Sequence, residues 1–337
     1  PRARELRARG KLRLGTSDSF LLDRLAGIYA TDVTTASRTS LMNLDTAQWD
    51  PELCRLFGVP IEALPEIRPT VGHYGTAGGL PIVAGVVDQQ AALFGHGCRH
   101  HGQAKITFGT GAFALAVAGH NLPADAVQGM ARTVAWQIGG APITYAIEGG
   151  LYNAASAVNW ARGLGLFGDF AEIDDFAAAP AIERGLVFVP ALSGLAAPYW
   201  DRNAAGTWLG LGLDTTKADM VQALLVGVAL LAAEVIAAMD RATPLAGAIS
   251  IDGGLSNNGY FCCFLARALD RPVVVPGSAD LTGLGTAQLA LIGAGLADLD
   301  SLPPAPPPRR RVDPTPPLPA AARERFREAV RRAGAWR

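Results

Sequence analysis

Nothing in this sequence supplies a disulfide framework, a zinc site or a strongly charged face. Its 337 residues include four cysteines, Cys54, Cys98, Cys262 and Cys263, and their spacing lacks the pairs that such sites need. A reducing cytoplasm is the simplest setting for a chain of this kind. Charged residues make up only 18%, below the roughly 25% usual in soluble domains. The formal net charge of −1 gives no whole-chain reason to expect nucleic acid or a membrane surface as partner. Basic residues do gather at Arg2, Arg4, Arg7, Arg9, Lys11 and Arg13, and from Arg309 to Arg311. No aromatic residues are interleaved with them, so they read as solvated surface rather than a nucleic-acid face. A secretory signal, with its charged start, apolar run and small-residue cleavage site, is missing. The first residue is Pro1 rather than methionine, which reads as a chain that is cut, processed or incompletely sequenced. No internal repeat of solenoid length is visible.

What is present is apolar. Hydrophobic residues reach 50%, which calls for large buried elements such as a sheet covered on both faces, and the length suits two domains. Met220 to Met239 is almost wholly apolar and about as long as a membrane span of ~20 residues. It carries Gln222 and Glu234, however, and Thr216-Lys217-Ala218-Asp219 before it reads as a capping box. A buried helix is the better reading.

Along the chain, a short helix is expected over Phe20 to Ala26, closed by Gly27, and another from Trp49-Asp50-Pro51 to near Gly58. Pro81 to Val87 reads as a buried strand with Asp88 at its C-terminal end. Lys105 to Phe108 and Ala112 to Val117 read as a hairpin with Gly109-Thr110-Gly111 at its tip. Further on come a strand at Tyr145 to Ile147, a helix from Tyr152 to Trp160 and a strand at Leu186 to Pro190. Gly194 to Asp201 is an irregular loop. After the long helix, the strand Ala248 to Ile251 leads through the turn Asp252-Gly253-Gly254 into a helix from Asn257 to Leu269. Arg271 to Pro276 is a strand and Thr282 to Ile292 a helix. Beyond Ser301 the chain is proline-rich to Pro319 and ends in an amphipathic basic helix. Hairpins and strand-to-helix units together imply a mixed α/β sheet flanked by helices. Glycine-rich tips let backbone N–H groups approach a phosphate closely, although most glycine turns are only turns.

Several segments together resemble the FGGY carbohydrate kinases, and among them the glycerol kinases. They are Gly15 to Leu22, Thr31 to Thr39, Gly85-Val86-Val87-Asp88-Gln89-Gln90-Ala91-Ala92-Leu93-Phe94-Gly95, Phe108 to Phe113, Ala197-Pro198-Tyr199-Trp200-Asp201, Asp252-Gly253-Gly254 with Asn258, and Ala329 to Arg332 with Trp336. The resemblance implies an actin-like, hexokinase-like pair of α/β domains of ribonuclease H-like type, with ATP in the cleft between them. It implies that residues 1–93 are the C-terminal part of the first, substrate-side domain. Residues 94–300 would be the second, nucleotide-binding domain, and 301–337 a proline-rich segment with a terminal helix. The family's first phosphate loop and its polyol-gripping residues are not found, so the N-terminal part of the family chain is read as absent and this stretch alone as inactive.

Phosphoryl transfer to an alcohol needs positioning, charge neutralisation by Mg2+ and a group that receives the hydroxyl proton. By residue pattern alone Asp88 is a helix N-cap; by the resemblance it is the catalytic base. Gln89 would then hydrogen-bond the polyol, and Phe113 would cover its carbon side, against a plain reading of Phe113 as core. Thr110 and Gly111 would meet the ATP phosphates, with Gly254 and Asn258 beside the adenosine. The family's usual glycine and glutamine are replaced by Ala155 and Asn159, so the adenine side is expected to differ in detail. His96, Cys98, His100 and His101 fall on a turn after the Asp88 helix and read as surface, not as a metal site. The expected function is ATP-dependent phosphorylation of glycerol to glycerol 3-phosphate. The alternatives are another small polyol or ketose as acceptor, a non-catalytic nucleotide-binding remnant, or an assembly element like the actin relatives. The implied partner is a small polyol, with no nucleic acid and no membrane; a homo-oligomer is compatible with the sequence.

Overall fold

A computed structural model describes residues 2–121, 129–278, 280–303 and 306–337. The first part of the chain is built from short elements. Strand Ala30–Asp32 pairs in parallel with Glu66–Arg68 and leads straight into helix α1 (Val33–Ser37), which Asp32 caps by accepting from the N–H groups of Thr34 and Thr35. The helix Ser17–Ala26 ends, as expected, at Gly27 in the left-handed region. Helix α2 (Asp88–Gly95) then carries the chain onto the main sheet.

That sheet has seven strands: β1 (Ala104–Phe108), β2 (Ala112–Gly119), β3 (Ala131–Trp136), β4 (Thr144–Leu151), β5 (Ile249–Gly253), β6 (Val273–Val275) and β7 (Arg310–Val312). Their order is β7-β6-β5-β1-β2-β4-β3. β5 runs parallel to both β1 and β6, and the other neighbours are antiparallel. The sheet is therefore mixed. β7 comes from the proline-rich terminal segment, so that segment is woven into the sheet; its residues 304–305 lie outside the described residues.

The two faces of the sheet follow from strand alternation. Ala104, Ile106 and Phe108 of β1 enter the larger core, which they share with α3 (Ala155–Gly163), α4 (Lys217–Ala242), α5 (Gly259–Leu269) and the terminal helix, where Phe326 is buried. The opposite face, marked by Leu115 and Val117 of β2, is covered by Leu93 and Phe94 of α2 and by Leu289 of α6 (Leu281–Gly293). The Thr216 capping box forms at the start of α4. α4 is long and apolar enough to cross a membrane by length and composition, and 83% of its most apolar window is buried inside the protein.

α2 and α6 touch backbone to backbone. A Cβ built on Gly95 would lie 2.0 Å from the Leu281 carbonyl oxygen, and one on Gly285 would lie 1.9 Å from that of Ala91. Each glycine thus accommodates the other helix.

Three expectations need correction. Pro81 to Val87 is not a buried strand. Only Leu80–Pro81 is paired, with Ala84 in an isolated bridge to Val71, and 82–87 are half-buried. The segment runs beside 70–75, where Pro69, Gly72 and Gly75 interrupt a regular ladder, and its last N–H turns to a side chain instead. The turn after α2 is not wholly surface either. His96 and Cys98 are buried, because β5 and the second core close over them, while His100 and His101 are exposed. The helix expected from Tyr152 begins at Ala155, since Leu151 still belongs to β4. Strand β3 had no distinct signal in the sequence.

Candidate active site

The register of the sheet gathers polar groups on the face that α2 covers. Lys105 of β1 pairs with Leu115 of β2 and with Ser250 of β5; Thr107 pairs with Phe113 and with Asp252. Lys105, Thr107, Phe113, Ser250 and Asp252 consequently point to one side. Glu148 and Gly150 of β4 join them through Leu115 and Phe113.

Asp88 and Gln89 open α2 above this face. Val87 occupies the N-cap position and Asp88 is the first helical residue, with an exposed side chain. The plain capping role for Asp88 is therefore not what the backbone adopts. Gln89 is half-buried and its Oε1 accepts from Lys105 Nζ at 2.7 Å, while Lys105 also donates to Thr107 Oγ1 at 2.8 Å. Lys105 is completely buried. Burial pulls its ammonium down to about 8, against the opposing pull of Asp252, Glu148, Cys98 and Asp88. At the far end of α2, His96 Nδ1 lies 2.7 Å from Ser250 Oγ and its Nε2 lies 3.5 Å from Asp252 Oδ2. Burial depresses the His96 imidazolium, and the neighbouring Asp252 carboxylate opposes that shift. Phe113 is 44% exposed; it is not a core residue, and its ring borders the same open face.

Arg38, at the C-terminal end of α1, forks across Glu148, with one of its two bonds at 2.9 Å. Ser37 and Gln90 both reach Thr133 on β3, at 3.0 and 3.2 Å. These contacts tie the first part of the chain to the sheet beside the site.

The hairpin tip faces a different neighbour. The N–H groups of Ala154 and Ser156 donate to the Thr110 carbonyl, and that of Ala155 to Gly109, at 3.0 to 3.1 Å. Carbonyls of the tip thus satisfy the first turn of α3, while the Thr110 side chain remains exposed. Gly111 is required by space, since a Cβ there would lie 2.3 Å from the Leu151 carbonyl. Beyond the tip lies a cavity of about 430 Å³. Ala155, Val158, Phe170, Ile173 and Leu255 give it apolar walls, and Asn159, Gly254 and Asn258 also line it. A largely apolar cavity with a few amides and the Asp174 carboxylate at its wall can take a planar heterocycle. Asn258 spends its amide within the protein: Oδ1 caps α5 at Phe261 N (2.6 Å) and Nδ2 donates to Ile173 O (2.7 Å).

The candidate residues thus form two groups. Asp88, Gln89 and Phe113 share the α2 face; Gly254 and Asn258 share the cavity, and the tip at Thr110 and Gly111 touches α3 between them. Sequence reasoning missed Lys105, Thr107 and the Arg38–Glu148 fork. A single lysine inside the apolar strand Ala104–Phe108 was the available signal. Among the described residues no group of three or more His, Cys, Asp or Glu side chains converges as a metal site. Magnesium bound through nucleotide phosphates needs only one or two carboxylates. The exposed Asp88 carboxylate, together with Asp252 and its buried, unpartnered Oδ1, fits that requirement.

This architecture is the actin-like, hexokinase-like ATPase fold of the carbohydrate kinases. The backbone superposes on a crystal structure of Plasmodium falciparum glycerol kinase with ADP at a TM-score of 0.88 and 28% identity, covering 99% of this chain and 69% of that one. A ligand-bound xylulose kinase from Lactobacillus acidophilus gives 0.83 at 24% identity over 95% and 68% of the two chains, a likeness of fold alone. Residues 2–95 match the N-terminal domain and residues 104–294 the C-terminal domain of the FGGY family of carbohydrate kinases. The chain belongs to that family, and both of its domains are represented. Glycerol kinases of Geobacter sp. (strain M21) and Thermus brockianus are each 41% identical, over 87% and 100% of this chain. The chain spans 61% of the Geobacter protein's length and 70% of the Thermus protein's.

Proposed function

We propose that this chain carries the base and the nucleotide side of an ATP-dependent kinase that phosphorylates a small polyol, glycerol to glycerol 3-phosphate. One observation carries the reading: an exposed carboxylate, Asp88, stands at a helix start next to Gln89, over the sheet face that also carries the partly exposed ring of Phe113. Such a group can take a hydroxyl proton while an amide and an aromatic face hold the rest of a small polyol.

In this mechanism the substrate hydroxyl gives its proton to Asp88 as its oxygen bonds to the γ-phosphorus of ATP, and ADP leaves. Gln89 orients the polyol and Phe113 shields its carbon side from water. Thr110 and Gly111 lie against the phosphates, and Gly254 and Asn258 border the adenosine in the 430 Å³ cavity. Ala155 and Asn159 also line that cavity, which supports an adenine site differing in detail from the family's usual glycine and glutamine. Magnesium, when bound with ATP, neutralises phosphate charge, and Asp88 and Asp252 would hold its water shell.

We read residues 1–93 as the substrate-side domain and 94–300 as the nucleotide-side domain, with 301–337 completing the latter's sheet; the matched family ranges support this division. A cytoplasmic location fits a kinase that draws on ATP. A coupled ADP-release assay of the full-length protein across polyols and ketoses tests the activity. Glycerol is expected to be turned over fastest, and faster turnover of a pentulose would overturn the substrate assignment.

A further inference from the structure

A buried lysine that touches a candidate substrate ligand has no place in the mechanism above. Lys105 is completely buried and donates to Gln89 Oε1 at 2.7 Å and Thr107 Oγ1 at 2.8 Å. An ammonium has three donors and no acceptor, so the Gln89 atom that faces it must be the oxygen. The amide is planar, and its Nε2 is therefore turned away from Lys105. Among the described residues no acceptor takes that Nε2. A glutamine in water presents either end; this one is held with its donor outward.

We propose that Lys105 is a positioning residue that locks Gln89 as a hydrogen-bond donor, so that the site receives an oxygen acceptor of a neutral polyol. The inference rests on the kinase reading and specifies how it selects its substrate. A hydroxyl oxygen offers its lone pairs to this N–H, whereas a protonated amine in the same place would set donor against donor. Thr107 Oγ1 accepts a second N–H of the ammonium, and Asp252 of β5 stands in register with Thr107 of β1. The carboxylates of Asp252, Glu148 and Asp88 surround the lysine from three elements, β5, β4 and α2, and keep the ammonium charged near neutrality despite its burial.

The experiment measures glycerol KM and calorimetric affinity, together with ATP KM, in the full-length protein and in Lys105→Met, Gln89→Ala and the double variant. Lys105→Met is expected to weaken glycerol by about tenfold, the worth of one oriented hydrogen bond, with ATP KM within about twofold. Because Lys105 acts through Gln89, the double variant is expected to match Gln89→Ala within about twofold. Multiplying effects, or an unchanged glycerol KM in Lys105→Met, would overturn the proposal. Gln89→Glu covers the case in which Lys105→Met fails to fold: it keeps an acceptor for Lys105 and removes the outward donor. It is expected to retain the wild-type melting temperature and lose about tenfold in glycerol affinity; wild-type affinity would sink the idea. Failure of the kinase reading is seen separately, in a wild-type protein that neither binds nor turns over any polyol, and it would take this inference with it.

Discussion

The backbone N–H of Val87 donates to Oγ1 of Thr34 at 3.0 Å. The Thr34 hydroxyl in turn donates to Asp32 Oδ2 at 2.6 Å. Asp32 is fully buried; its burial raises the carboxyl, and the bonds from Thr34 and Thr35 oppose that rise. The residue just before Asp88 is therefore fastened to the N-terminus of α1, in the first part of the chain. With Val87 as the cap, Asp88 is the first helical residue; its Oδ1 accepts the Gln89 N–H at 2.7 Å, and the carboxylate is otherwise exposed to a ligand.

Asp88→Asn keeps the side chain's size and removes its basic oxygen. If Asp88 receives the hydroxyl proton, kcat falls by ~10²–10⁴-fold, equivalent to roughly 3–5 kcal/mol of barrier, while ATP KM changes little. Steady-state kinetics with a thermal-melt control reads this directly. A folded variant within a few-fold of wild-type kcat would remove the base assignment.

Phe113→Ala should separate binding from folding. The ring is 44% exposed, so its loss is expected to cost only about 1 kcal/mol of stability. Glycerol KM should rise by roughly three- to tenfold as its apolar cover goes, with ATP KM unmoved. An equal rise in both constants would point to a general loosening of the site instead.

Two adjacent glycines make opposite predictions. Nothing lies within 4 Å of a Cβ on Gly254, whereas one on Gly253 would sit 2.2 Å from the Phe108 carbonyl at a φ of +84°. Gly254→Ala is expected to fold normally and weaken ATP by intruding on the cavity proposed for adenosine. Gly253→Ala is expected to lower stability by more than ~2 kcal/mol. Melting curves and nucleotide titration of the two variants distinguish strain from steric exclusion.

The pH response of Lys105 runs in opposite directions for stability and binding. Its ammonium titrates at about 8 in the folded protein against 10.5 as the ordinary value. Between these pH values the unfolded chain holds the proton more often, so stability rises with pH across that window, by up to roughly 3 kcal/mol. The neutral amine can also accept, so Gln89 is no longer held one way and glycerol affinity should fall over the same range. Comparison with Lys105→Met isolates both effects; stability that falls relative to that variant between pH 8 and 10 would contradict the buried-cation account.

Elements whose signals are local were legible in the sequence. Thr216 and Asp219 mark the start of α4, Gly27 closes a helix, and the hairpin around Gly109-Thr110-Gly111 stands where glycine and strand alternation put it, whereas the turn expected at Asp252-Gly253-Gly254 begins only at Gly254, because pairing with β1 carries β5 on to Gly253. The segment 81–87 departs from a buried strand because apolar residues announce burial but not a partner, and its backbone bonds to 70–75 amount to one isolated bridge and irregular contacts rather than a continuous ladder. Lys105 escaped because its importance depends on register: only the pairing of β1 with β2 and β5 brings it under Gln89. His96 looked like surface because its burial is created by Ser250 and Asp252, more than 150 residues away in the chain.

The backbone contact between α2 and α6 has a consequence for inheritance. Asp88 and Gln89 stand one helix length, about 10 Å, from Gly95, and Gly95 meets α6 with no room for a methyl group. Any larger side chain at Gly95 or Gly285 must lever the far end of the helix, and misplacement of a reacting group by ~1 Å can cost ~100-fold in rate. A genetic screen for loss of activity should therefore return these two glycines as readily as Asp88 itself, though neither touches a bound molecule.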